Sequence, residues 1–99
     1  MIIALSRFTI ANAMIDEVRT AFQQRPHFVD QAEGFLGMEV MSPLDNDAEI
    51  WLFTRWKDRQ SYESWHKSHL YHESHKGIPK GLKLIPGATE IKVLTVFAN

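Results

Sequence analysis

The chain has 99 residues, 44% of them hydrophobic, a formal net charge of -1 and no cysteine. That length supports one small domain over residues 1–99 with a thin core, and leaves no room for a nucleotide-binding domain beside a substrate domain. The charge argues against nucleic acid or an anionic membrane as the main partner, and the missing cysteines remove disulfides, thiolate catalysis, cysteinyl zinc and iron–sulfur clusters, which fits the reducing cytoplasm.

The opening MIIALSRFTI is too short an apolar run, interrupted by Ser6 and Arg7, to read as a signal peptide or a membrane span. It reads as a strand over Ile2 to Ile10. Ile2, Ala4, Ser6, Phe8 and Ile10 share one face, and Ile3, Leu5 and Arg7 the other. Asn12 is expected to cap a helix whose inner stripe is Met14, Val18 and Phe22 and which Pro26 stops. An extra turn over His27 to Glu33 ends at Gly34. Phe35 to Ser42 and Glu49 to Lys57 read as a hairpin across the polar turn at 43–47. Asp58 caps a second helix running through Tyr62, Trp65 and Leu70 to about Lys76, where Gly77, Ile78 and Pro79 stop it. Lys80 to Gly87 is a loop, and Thr89 to Phe97 a closing strand.

The order is β-α-β-β-α-β, an α+β ferredoxin-like pattern with two helices on one face of an antiparallel sheet. The other face carries Ile3, Leu5, Trp51 and Phe53. An apolar sheet of this kind marks an interface, so a homodimer of sheets packed face to face is expected, with Arg7 serving it.

Four of the five histidines fall at spacing three in the second helix, at His66, His69, His72 and His75. At about 100° per residue, each step of three turns back by about 60°. On a straight helix His66 and His75 therefore end on opposite sides. Relative to Trp65, His72 lies about 20° away and His75 about 80° to the other side. The zincin pattern is absent, and no carboxylate cluster completes a hard-metal site. His66 reads as a surface histidine, and His69 either as another or as a member of a site. Trp65 and His75, about 15 Å apart along the axis, could flank one large flat ligand, although a tryptophan on an amphipathic helix is by default a core residue. Ser6 interrupts an apolar face: it either bonds a neighbouring carbonyl or points into a small-molecule cavity. Lys76, Lys80 and Lys83 are either solvated or meet ligand carboxylates at a pocket mouth.

The SRFTI strand, the EGFLGMEV run into strand two, the WLFTRW strand and the W-x-x-S-x(6)-H-K helix together resemble the antibiotic-biosynthesis-monooxygenase (ABM) superfamily, over essentially the whole chain. The resemblance implies a dimeric α+β barrel and an oxygen-using enzyme. One branch, the IsdG-type haem-degrading monooxygenases, implies His75 as the ligand of haem iron and Trp65 as the ring pressing on the porphyrin. Ser6 then stands where that branch has a catalytic asparagine, and Tyr71 and His72 complete the haem-binding set. A second branch, the cofactor-independent quinone-forming monooxygenases, implies no cofactor, with Trp65, Tyr71, His72 and His75 positioning and deprotonating a polycyclic phenol. A third reading is a non-catalytic dimer that binds haem or another hydrophobic ligand. In the haem reading His75 is preferred over His72, which requires the second helix to bend or unwind between Ser68 and His75, where Ser68, Ser74 and Gly77 make distortion inexpensive.

Overall fold

The computed structural model describes residues 1–99 apart from the side chain of Lys76. Strand β1 spans Ile2–Thr9, β2 Phe35–Met41, β3 Glu49–Trp56 and β4 Glu90–Thr95. They form one antiparallel sheet in the order β2-β3-β1-β4. Helix α1 is Ile15–Gln23 and a 3₁₀ turn covers Phe28–Gln31. The fold is the ferredoxin-like α+β arrangement that the element order implied.

Register fixes the two faces. Ile2, Ala4, Ser6 and Phe8 of β1 stand opposite Trp56, Thr54, Leu52 and Ile50 of β3 on the helix side. Ile3, Leu5 and Arg7 pair with Arg55, Phe53 and Trp51 on the open side. There the Arg7 guanidinium lies 5.4 Å from the centre of the Trp51 ring and 2.8 Å from a Glu90 oxygen.

Two clusters make up the core. One joins Ala4, Val29, Trp56 and Trp65, and the other Ile10, Val18 and Ile50. Trp56 is fully buried, with Phe35 edge-on at 5.5 Å and Tyr62 at 6.0 Å, and its indole N–H donates to Thr54 Oγ1 at 2.8 Å. That bond lets a polar ring edge sit in an apolar core without an unmet donor.

The second helix departs from its expected course. In place of one rod to Lys76 there are α2 (Arg59–His66), α3 (His69–Ser74) and a 3₁₀ turn at His75–Gly77. Asp58 does cap α2, accepting from the Ser61 amide at 2.8 Å. Ser68 causes the break. Its backbone is extended, its hydroxyl donates to the Trp65 carbonyl at 2.7 Å, and the same oxygen accepts from the Tyr71 amide at 3.2 Å. One side chain thus closes α2 and opens α3, the competition with backbone bonding that disfavours serine inside helices.

Asn12 is a second correction. Helix α1 begins two residues later than a cap at Asn12 requires, after Met14, which makes no side-chain cap bond. Asn12 instead donates through Nδ2 to the Gly81 carbonyl at 2.8 Å, tying the loop after β1 to the loop before β4. Ile10 forms an isolated bridge to Leu84 beside it. The closing strand stops at Thr95, short of the expected Phe97, which is almost fully exposed.

Gly34 enters β2 with φ +80°, where a Cβ would collide with Ser61 Oγ and lie 2.5 Å from Ser61 Cβ. Gly34→Ala is therefore expected to cost about 2–4 kcal/mol, from left-handed strain plus overpacking. Urea unfolding reads it directly, and a loss below about 0.5 kcal/mol would contradict this packing.

Candidate functional site: a cavity between sheet and broken helix

The helix face of the sheet and the α2–α3 segment enclose a cavity of about 600 Å³, within the usual range of small-molecule sites. Ser6 lies on its floor, paired in register with Leu52 of β3 and Ile91 of β4, all three lining the space. Trp65, Tyr71 and His75 line it from the α2–α3 side. Four of the expected site residues thus meet in one place. Trp65 fills both roles weighed for it, because it is buried in the core and still forms cavity wall.

The imidazole of His75 is exposed and fixed at one edge. Its Nδ1 stands 2.8 Å from the Tyr71 carbonyl oxygen, so Nδ1–H donates and the neutral ring keeps its lone pair on Nε2. The Tyr71 ring packs against it with centroids 4.3 Å apart. The carbonyl of Tyr71 also accepts from Ser74 Oγ at 2.7 Å. A histidine whose Nδ1–H is held by a backbone carbonyl is the usual form of a metal-ligating imidazole.

His72 is not part of this constellation. It is exposed and outside the lining, because the break at Ser68 resets the helical phase on which its closeness to Trp65 depended. His69 is exposed too, with Nε2 3.3 Å from a Glu73 oxygen. Lys80 and Lys83 are exposed and outside the lining, while the side chain of Lys76 lies outside the described residues.

Sequence reasoning missed His66. Expected on the surface and opposite His75, it is half-buried and lines the same cavity. Its ring packs against Tyr62 at 4.3 Å and Tyr71 at 4.5 Å. Burial, and then the charge His75 can carry, hold its pKa below the ordinary histidine value. The available signal was Ser68 as a helix N-cap, which breaks the phase count between residues 66 and 75.

Arg25 and His27 reach the cavity from beyond α1. Both are engaged by Asp30, Arg25 at 2.7 Å and His27 at 3.3 Å. The Arg25 hydrogen bond chiefly keeps the Asp30 carboxyl below its ordinary range. Among the described residues no group of three or more His, Cys, Asp or Glu could hold a metal ion. One axial imidazole is nevertheless enough where a porphyrin supplies the other ligands.

The family model described as antibiotic biosynthesis monooxygenase matches residues 1–77. The chain belongs to this family. Heme oxygenase (staphylobilin-producing) 1 of Staphylococcus aureus strain Newman is 30% identical over 77 residues, covering 76% of this chain and 71% of that protein. Two solved structures show how widely the fold is shared. SnoaB, a cofactor-independent oxygenase from Streptomyces nogalater, superposes with a TM-score of 0.78 at 16% identity, covering 99% of this chain and 94% of its own. The heme-degrader MhuD from Mycobacterium tuberculosis, with two hemes in its active site, gives 0.78 at 16% identity, covering 100% and 98%. Among the described residues no helix is long and apolar enough to cross a membrane.

Proposed function

We propose that this protein is a haem-binding monooxygenase that takes haem as its substrate and opens it with dioxygen. The observation that carries the reading is His75. Its Nδ1–H is fixed on the Tyr71 carbonyl, and its Nε2 is left free beside a largely apolar cavity whose wall includes Trp65. The named activity of the Staphylococcus aureus relative supports it.

In this reading His75 holds the iron, and Tyr71 orients His75 through both ring and carbonyl. Trp65 presses on the macrocycle from a buried position that cannot yield, because it is packed into the Ala4–Val29–Trp56 cluster. Ser6 offers a short hydroxyl in place of an amide, which makes it the weak point of turnover. The working unit is a cytoplasmic homodimer. The open sheet face supports the dimer, since it carries Leu5, Phe53 and Leu94, and Leu94 is exposed in a single copy.

Titration with ferric haem should give a saturable Soret band, and ascorbate under air should bleach it. A band that persists identifies a haem carrier; Ser6→Asn should then restore bleaching. No band at all removes the haem reading and puts oxidation of a polycyclic phenol, without cofactor, in first place.

A further inference from the structure

Of the cationic and imidazole side chains lining the cavity, three have a partner. Arg25 and His27 face Asp30, and His75 donates to the Tyr71 carbonyl. The fourth is His66, and neither of its ring nitrogens makes a hydrogen bond among the described residues. It is nonetheless half-buried and held in place, with the Tyr62 and Tyr71 rings packed against it at 4.3 and 4.5 Å. A ring so placed is desolvated in part, and its nitrogens, without a protein partner and open to the cavity, are available to a polar group of a ligand. Burial lowers its pKa, so near neutral pH the ring carries one N–H and one lone pair.

The chemistry of a porphyrin fits this. Its hydrocarbon body suits the apolar lining, its iron is taken by His75, and its two carboxylates still need N–H donors. We propose that His66 is the cavity's carboxylate contact, donating a hydrogen bond to one acidic side chain of the bound tetrapyrrole and so selecting acidic porphyrins over neutral ones. The proposal rests on the haem reading and adds to it a source of ligand selectivity. His66 acts on the periphery of the ligand, while His75 holds its centre.

The test compares iron protoporphyrin IX with its dimethyl ester, which keeps the ring and iron and removes both charges. Each is titrated into the parent, His66→Phe and His66→Gln proteins, followed by Soret absorbance. The parent should bind the free acid about tenfold more tightly than the ester, the size expected of one hydrogen bond to a charged group. His66→Phe keeps an aromatic ring between Tyr62 and Tyr71, and should bind both porphyrins alike with the parent's band position. His66→Gln restores a donor and should recover part of the preference. If His66→Phe lowers the melting temperature too far to titrate, the parent and His66→Gln still decide. Equal binding of both porphyrins by the parent, or a parent-like preference in His66→Phe or its complete loss in His66→Gln, would overturn the assignment and leave the haem reading standing. A parent that binds neither porphyrin overturns both, and the missing Soret band shows that the haem reading itself has failed.

Discussion

His75→Ala should lower haem affinity by about a hundredfold or more and shift or abolish the Soret band, whereas His72→Ala should leave both within twofold of the parent. The asymmetry follows from the break at Ser68. On an uninterrupted helix His72 would sit nearer to the side of Trp65 than His75 does. In the structure His72 is exposed outside the cavity, and His75 lines it with Nδ1–H fixed on the Tyr71 carbonyl. Removing His75 takes away the one imidazole whose free nitrogen is presented by a backbone anchor. The solvent-facing His72 has no such anchor and no wall to leave. Absorbance titration of the two variants side by side makes the comparison. A His75→Ala protein with the parent's band and affinity, next to a His72→Ala protein that has lost both, would reverse the assignment.

The largest effect on stability belongs to Trp56→Ala, expected at about 3–5 kcal/mol. Trp56 has no exposed surface, two aromatic neighbours in edge-on contact and a satisfied indole N–H. Truncation removes the ring from the centre of one of only two clusters and leaves the Thr54 hydroxyl without its donor. Domains of this size have roughly 5–15 kcal/mol in total, so the variant falls to the margin of folding, with a melting temperature lower by about 15–30 °C. Urea and thermal unfolding measure it. A loss under about 1 kcal/mol would mean that the two clusters do not depend on this ring.

Sheet and site were legible to different degrees, for reasons that lie in particular residues. Side chains alternate strictly along a strand, so Ser6 could be placed on the helix side from its neighbours Ala4 and Phe8 alone, and the register agrees. The W-x(9)-H spacing brought Trp65 and His75 to one cavity only because a distortion was allowed between them. What no helical wheel could supply was the position of that distortion. A phase count is a running sum, and one extended residue at Ser68 invalidates every angle beyond it. That is why a wheel sets His66 opposite His75 and brings His72 close to Trp65, when the structure places His66 and His75 in one cavity and leaves His72 outside it. Asn12 was misplaced for a related reason. A good capping residue two positions early is indistinguishable in sequence from a cap, and its bond to Gly81 is a contact between residues 69 apart in the chain.

The cavity borders both hydrophobic clusters, with Val18 from one and Ala4, Val29, Trp56 and Trp65 from the other among its walls. Atoms that face such a space lack packing partners across it. A flat apolar guest seated there joins the two halves of the interior, so that binding and folding draw on one free energy, and occupancy raises the work needed to open the chain. If haem is that guest, its occupancy is expected to slow proteolysis of the chain, so that the lifetime of the protein would follow the supply of what it holds.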